Sequence, residues 1–430
     1  MSGKSDKKKS LVPRLRFPEF REAGAWEEKK IEDYFSVRSS KRVLQKDWKT
    51  HGVPFYRTRE LVSLYNNEPF SSEIFISEEL FSEIAKKYGF PSEGDFLVSG
   101  VGTLGICYQV KAKDKFYFKD GNVLWYKQNG GIVSSFFYYC FHSDQIQNQI
   151  LGQASISTVG TYTIQNAKVT KFLCPTVEKE QQKIAHCLSS LDEVMGLQAK
   201  KVQALKQHKK GLMQQLFPAE GETTPRLRFP DFREAGAWEV QTIDQLASKI
   251  AQGGTPKTSI PKYWNGDIPW ITPAEMGEDA AHHYAETTHR TISREGFENS
   301  STELLPVNSV IISSRAPIGY VTINKIEMAT NQGCKGIVPK KNTYHEFFYF
   351  SLIVAKQRLN DLGAGAGFKE ISTSMLKAFQ ISIPKHIEQQ KIAHCLSSLD
   401  EVIGLESHKL DALKNLKKGL MQQLFPQEVA

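Results

Sequence analysis

The sequence predicts an α+β protein with a pseudo-twofold internal duplication, in which two homologous α+β domains are joined by two long antiparallel coiled-coil helices. Three observations lead to this prediction. Segments at the start and the end of each half of the chain are repeated almost unchanged. The segments between the repeats mix strand and helix signals, and a heptad pattern of apolar residues follows each mixed segment.

Repeats divide the 430-residue chain into two halves. Residues 13–26 (PRLRFPEFREAGAW) return 212 positions later with one change in 14 positions. Residues 180–197 return 208 positions later with one change in 18, and residues 209–218 return at that same spacing without a change. A duplicated framework therefore carries two inserts whose sequences have diverged.

The inserts combine strand and helix signals with clusters of Gly, Asn and Pro between them, which indicates one α+β domain in each half. Strand signals occur at residues 116–127, 268–272 and 336–338, and helix signals occur at residues 136–151 and 344–362. The inserts share one segment of weak sequence similarity. Residues 96–110 and residues 310–323 both place a strand-like run before a glycine turn and a second apolar run.

A heptad pattern follows Pro175 and Pro384 and predicts two long helices, the first from about residue 178 to residue 216. Each pattern stops at an identical Leu-Phe-Pro, where proline ends the helix. The predicted seam between the helices consists of Leu188, Leu191, Gln198, Val202, Leu205, Lys209, Leu396, Leu399, Glu406, Leu410, Leu413 and Lys417. The alternative is that each apolar stripe packs only on its own domain.

Two matched seams in one chain favour pairing of the helices with each other. An antiparallel arrangement is favoured because a parallel pair in the same register would bring Lys209 against Lys417. Antiparallel helices that place Gln198 opposite Lys417 also place Lys209 opposite Glu406. We treat this register as a hypothesis.

These patterns predict the boundaries of five regions. They are a disordered basic tail at residues 1–12, a first domain at 13–174, a first long helix at 175–218, a second domain at 219–383 and a second long helix at 384–426.

The composition is that of a soluble globular protein, with 40% hydrophobic and 24% charged residues. No apolar run approaches the roughly 18–20 residues of a membrane helix, and the first residues lack a secretion signal, so we expect a cytoplasmic protein. A net charge of +8 permits a polyanionic partner without requiring one. The six cysteines form no CxxC pair and are expected to be buried thiols.

Motifs of catalysis are absent from the sequence. It has no GxxxxGK[ST] phosphate loop, and no Asn or Asp precedes Pro-Pro and an aromatic residue, the clamp that amino-methyltransferases use for a flipped adenine. His282 and His283 lack partners at metal-ligand spacing. We therefore expect no catalytic residue, no metal site and no cofactor in this chain.

The opening segment PRLRFPEFREAGAWEEKKIEDYF, the GAGAGFKEIS run at residues 363–372 and the EQQKIA start of each long helix resemble the DNA-specificity subunit of type I restriction-modification enzymes. The resemblance covers residues 13–426. It implies two target-recognition domains that each read one part of a split double-stranded DNA site. It also implies two modification subunits, which methylate adenine at N6 with S-adenosylmethionine, and motor and nuclease subunits that use ATP. One departure is residues 153–165, which replace the GAGAGF run in the first half.

Base reading requires side chains such as Arg, Lys, Asn or Gln on exposed loops. The candidate DNA contacts are Tyr56, Arg57, Arg59, Arg315, Asn331, Gln332, Lys335 and Lys369. Each can equally be an ordinary surface residue, and the GAGAGF run can be a flexible loop before a helix cap. If Arg57 reads a base, Arg57→Ala weakens cognate binding more than non-cognate binding.

The sequence is compatible with three candidate functions. The leading hypothesis is a non-catalytic subunit that directs methyltransferase and ATP-dependent restriction subunits to a bipartite, asymmetric DNA site. A self-sufficient DNA enzyme is disfavoured by the missing motifs. A free-standing DNA-binding scaffold or repressor without enzymatic partners is the remaining alternative.

Overall fold

The chain forms two compact units. The computed structural model describes residues 11–66, 68–154, 160–277, 283–364 and 370–426. Within this part, residues 11–196 and 411–426 form the first unit, and residues 197–410 form the second unit. Each unit therefore contains one insert together with parts of both long helices.

The first unit places three sheets beside its helices. Its strands are β1 (Glu27–Lys30), β2 (Phe35–Arg38), β3 (Val53–Tyr56), β4 (Phe75–Ile76), β5 (Phe96–Ser99), β6 (Cys107–Gln109), β7 (Tyr117–Phe118), β8 (Val123–Gln128) and β9 (Lys171–Cys174). The sheets have the orders β1-β9, β2-β8-β5-β6 and β4-β3-β7. All pairs are antiparallel except β3 with β7.

Helices of the first unit follow its strands closely. They are α1 (Ile31–Tyr34), α2 (Thr58–Asn66), α3 (Glu78–Tyr88), α4 (Ser134–Phe141), α5 (Asp144–Ala154) and α6 (Ile164–Val169), and the long helix α7 (Glu178–Leu216) begins here. The helix predicted at residues 136–151 is thus two helices, because the chain turns between α4 and α5.

The second unit repeats this plan. Its strands are β10 (Glu239–Thr242), β11 (Ala247–Gln252), β12 (Trp264–Ile271), β13 (Tyr284–Ala285), β14 (Thr291–Ile292), β15 (Val310–Ser313), β16 (Val321–Asn324), β17 (Ala329–Thr330), β18 (Cys334–Pro339) and β19 (Gln380–Ile383). Its helices are α8 (Ile243–Leu246), α9 (Arg294–Glu298), α10 (His345–Val354), α11 (Lys356–Ala364), α12 (Thr373–Ala378) and α13 (His386–Leu424), the second long helix. The sheet orders are β10-β19, β11-β18-β15-β16-β13 and β14-β12-β17. Two homologous α+β domains with two long helices are therefore present, as predicted.

A buried ion pair ties the repeated opening segment to the start of each long helix. Arg16 Nε and Nη2 each donate to a carboxylate oxygen of Glu180 at 2.7 Å, and Trp26 Nε1 donates to Glu180 Oε1 at 3.2 Å. The side chains of Arg16 and Glu180 are 7% and 1% exposed. Arg228 and Glu388 repeat this bidentate pair in the second unit at 2.7 and 2.8 Å. The repeated sequences are therefore explained by a contact between segments far apart in the chain.

The end of each long helix contributes to a domain core. Phe425, which follows α13, lies 6.1 Å from Trp26 and 5.7 Å from Phe136 between ring centroids in the first unit. Phe217, which follows α7, lies 6.0 Å from Trp238 in the second unit. Burying one such ring contributes roughly 1.5–3 kcal/mol. The repeated Leu-Phe-Pro thus ends a helix and also fills a core.

Polar contacts show that the helices run antiparallel in the second unit. Gln198 Nε2 donates to the backbone oxygen of Glu406 at 2.8 Å, and Lys209 Nζ lies 2.6 Å from Asp400 Oδ1. Residue numbers that increase along α7 are therefore matched by residue numbers that decrease along α13. In the first unit, Lys417 Nζ donates to Asp192 Oδ1 at 2.6 Å.

The predicted register is wrong. Lys209 was expected opposite Glu406 and Gln198 opposite Lys417, whereas both lysines bind aspartates and Gln198 meets Glu406, its own equivalent 208 positions away. The aspartates lie outside the heptad positions, so the seam pattern alone does not reveal them. All twelve predicted seam residues are buried or half-buried.

His283 joins the second insert to α13 between two carboxylates. Its Nδ1 lies 3.6 Å from Asp400 Oδ2 and its Nε2 lies 3.7 Å from Glu346 Oε1. Burial opposes protonation of the imidazole, but the two carboxylates outweigh it and raise the pKa of His283. Despite burial, His283 and Tyr284 lower the pKa of Glu346 to about 2.

Because the pKa of His283 is raised by folding, its stabilising effect is full below the unfolded value near 6.5 and is lost as pH rises through the folded value. We expect the second unit to become easier to unfold with urea as pH rises above about 6.5. His283→Gln should flatten this dependence, whereas the exposed His289→Gln should keep it. An equal pH dependence in both variants would contradict this role for His283.

The six cysteines are free thiols, of which Cys187 and Cys395 are half-buried and the others are buried. Burial raises the pKa of the Cys107 and Cys140 thiols well above the usual range. Among the described residues, no helix combines the length and apolar character needed to cross a bilayer.

Candidate nucleic-acid interface

The turn between β5 and β6 shares its serine hydrogen bonds with the turn between β15 and β16. Ser99 Oγ donates to the backbone oxygen of Thr103 at 2.5 Å in the first unit. Ser313 Oγ donates to the backbone oxygen of Pro317 at 2.6 Å in the second. A glycine with positive φ follows two residues later in both. The sequence similarity between residues 96–110 and 310–323 therefore corresponds to a shared turn structure.

Beside each turn, one residue bridges to the segment that leads into a short helix. Val101 forms an isolated antiparallel β-bridge with Thr161, which precedes α6, and Arg315 forms one with Glu370, which precedes α12. A Thr or Ser N-cap follows two residues after the bridge in both units. The two inserts thus share this bridge and the helix cap that follows it, and they place different side chains there.

Charged side chains converge at this turn in the second unit. Arg315 Nε lies 3.1 Å from Glu370 Oε2, and the two side chains are 48% and 35% exposed. Lys335, on β18, is only 6% exposed. Burial lowers the pKa of Lys335, with Glu370 opposing and Arg315 reinforcing that shift.

The turn between β17 and β18 packs against the turn between β15 and β16. The backbone N–H groups of Ser314 and Arg315 donate to the carbonyl oxygen of Gly333 at 2.8 and 3.4 Å. Asn331 uses its side-chain oxygen to accept from the backbone of Gly333 at 2.9 Å, and the exposed Gln332 accepts from a threonine hydroxyl. The structure therefore brings together the four predicted residues of the second insert that it describes.

In the first insert, the predicted residues lie at the end of β3 and the start of α2. The half-buried Tyr56 packs on Phe116 with ring centroids 4.7 Å apart, and burial raises its pKa. Arg57 is 18% exposed because Glu60 binds its Nε and Nη2 at 3.0 and 2.6 Å. Arg59 is 50% exposed and lines a cleft beside Val101. Arg57→Ala therefore removes an internal ion pair as well as a candidate DNA contact.

Two points separate the sequence expectation from the structure. Lys369 lies outside the described residues. Glu370 was not predicted, and the alignment of the duplicated turns is the feature of the sequence that could have identified it. Within the described ranges, no group of three or more His, Cys, Asp or Glu side chains is arranged to hold a metal ion.

Comparisons with known proteins agree with this architecture. The chain is 35% identical over 190 residues to the type I restriction enzyme MjaIX specificity subunit of Methanocaldococcus jannaschii, a match that spans 44% of each chain. It is 24% identical over 417 residues to the putative MjaX specificity subunit of the same organism, covering 93% of this chain and 92% of that one. The crystal structure of a type I restriction-modification S subunit from M. genitalium has a TM-score of 0.59 at 14% identity, covering 97% of this chain and all of that chain.

The family match, on a chain with this duplicated fold, defines a non-catalytic DNA sequence-recognition protein. The chain belongs to the type I restriction-modification DNA specificity domain family, whose model matches residues 24–207 and 236–415. The family resemblance seen in the sequence is confirmed, and so is the prediction that the chain is a specificity subunit and not an enzyme.

Proposed function

We propose that this chain binds a bipartite, asymmetric double-stranded DNA site and directs two adenine-N6 methyltransferase subunits and ATP-dependent restriction subunits to it. The observation that supports this proposal best is the pair of recognition domains with one backbone plan and different side chains at equivalent turns. Identical domains would favour a palindrome, whereas diverged domains favour two unlike half-sites. The protein would work in the cytoplasm, where its DNA is accessible.

Exposed leucines on the duplicated helices support the recruitment of partners. Leu197 on α7 and Leu405 on α13 occupy equivalent positions, and their side chains are 68% and 69% exposed. Val402 is exposed one turn away on the same face of α13 as Leu405. Val194 is exposed at the equivalent position beside Leu197, and adjacent exposed apolar residues of this kind are typical of protein-protein contacts. We assign them to the methyltransferase subunits, one beside each leucine.

The boundaries at residues 13–174, 175–218, 219–383 and 384–426 remain a proposal. They follow the inserts and the long helices, and they differ from the two compact units because each unit includes parts of both helices.

Genome-wide mapping of N6-methyladenine tests the proposed function. In cells that contain this chain, we expect methylation at one two-part motif with unlike halves. Deletion of the chain should remove that methylation, and its return should restore it. An unchanged methylation pattern, together with a purified chain free of methyltransferase, would favour the free-standing scaffold or repressor.

A further inference from the structure

Three equivalent positions around the duplicated turn carry charges in one domain and none in the other. The second domain has Arg315, Glu370 and Lys335. Val101 and Thr161 replace the first two, since each pair forms the bridge beside the turn. The third has Leu124 as its equivalent: Leu124 pairs with Val98 on β5, as Lys335 pairs with Ile312 on β15. Leu124 is a core residue.

The two exposed charges, Arg315 and Glu370, are complementary to the major-groove edge of a G·C base pair. An arginine donates two hydrogen bonds to O6 and N7 of guanine, and a glutamate accepts from N4 of cytosine. Arg315 and Glu370 are both partly exposed and lie 3.1 Å apart, so a donor fork and an acceptor are adjacent at one edge of the turn. An exposed ion pair contributes little to stability, so exchanging it for base contacts costs little.

The buried lysine biases the geometry of this pair. Lys335 attracts Glu370 and repels Arg315. The carboxylate is also the less exposed member of the pair, at 35% against 48% for the guanidinium, so the acceptor lies closer to the turn and the donor fork lies closer to solvent. Leu124 has no charge and cannot do this in the first domain.

We propose that Arg315 and Glu370 read one G·C base pair in the half-site of the second domain, and that Lys335 positions them. Arg315 donates to guanine O6 and N7, and Glu370 accepts from cytosine N4. The inference rests on the proposed function, because it assumes that this turn faces the major groove of the DNA. The first domain, with Val101 and Thr161, reads its half-site without this pair.

Selection from a randomised duplex library tests the proposal, using the full chain in complex with its methyltransferase subunits. The unmodified chain should select a two-part motif with an invariant G·C pair in one half. Arg315→Ala and Glu370→Ala should each relax that single position, with a roughly 5- to 150-fold loss of discrimination for Arg315→Ala. Lys335→Met should reduce discrimination at that position and leave the other positions unchanged. Arg294→Ala breaks a more exposed Arg–Glu pair on α9, away from the turn, and should change nothing.

The outcomes separate the two proposals. If the unmodified chain selects no two-part motif, the proposed function fails and this inference fails with it. This inference alone is overturned if the chain selects a two-part motif that Arg315→Ala does not affect. It is also overturned if the half-site of the second domain lacks a G·C pair. Equal weakening on all sequences, with a salt dependence reduced by about one phosphate contact, would also overturn it.

Discussion

Replacing Glu180 by alanine is expected to lower the free energy of unfolding of the first unit by about 3–5 kcal/mol. The carboxylate binds both donors of the Arg16 fork and the indole N–H of Trp26. Its removal leaves the guanidinium charge buried without a counterion, which costs far more than the loss of an exposed pair. Urea unfolding of the full chain, monitored by tryptophan fluorescence, measures the change.

An exposed ion pair in the same segments provides the control. Lys183 Nζ lies 3.2 Å from Glu19 Oε1, and both side chains are about half exposed. Lys183→Ala should therefore cost less than about 1 kcal/mol. Glu388→Ala should reproduce the large effect in the second unit, where the bidentate pair with Arg228 recurs. A loss below about 1 kcal/mol for Glu180→Ala would contradict the structural role of the pair.

The second large effect concerns the exposed leucines of the long helices. We expect the double variant Leu197→Asp, Leu405→Asp to lose at least about 100-fold in affinity for both methyltransferase subunits, since a charge would replace the apolar contact in each of the two proposed interfaces. Each single variant should retain one methyltransferase subunit. Co-purification followed by native mass spectrometry gives the stoichiometry.

Leu416 offers a matched control for this experiment. It is an exposed leucine on α13, but its equivalent on α7 is His208, so it is not part of the repeated surface. Leu416→Asp should leave both methyltransferase subunits bound. Retention of two subunits by the double variant, with normal folding, would exclude the proposed docking surface.

The repeats allowed the domain plan to be predicted because duplicated sequences must fold alike. The sequence showed that Arg16 and Glu180 recur, but their pairing across 164 positions is a tertiary contact that no local pattern contains. Strand order has the same origin: β2 lies beside β8 and β8 beside β5, and these pairings join distant segments. Local signals therefore identified most elements and left their order open.

Burial explains where the candidate site differs from expectation. Lys335 was chosen as a residue near a turn, yet its strand lies between β11 and β15, so the side chain is enclosed. Arg57 was chosen for its charge, but Glu60, one turn of helix away, binds it. The helix register was missed for a related reason, because Asp192 and Asp400 flank the seam and bind the lysines within it.

The position of Phe425 in the core of the first unit has a consequence for synthesis of the chain. Trp26 and Phe136 are translated early, but the ring that packs against both comes after the second insert and the second long helix α13. At roughly 5–20 residues per second, the ribosome needs tens of seconds to reach it after the first insert is complete. The core of the first unit is therefore completed only after α13 has been made, and a premature stop codon within α13 would damage the first domain directly.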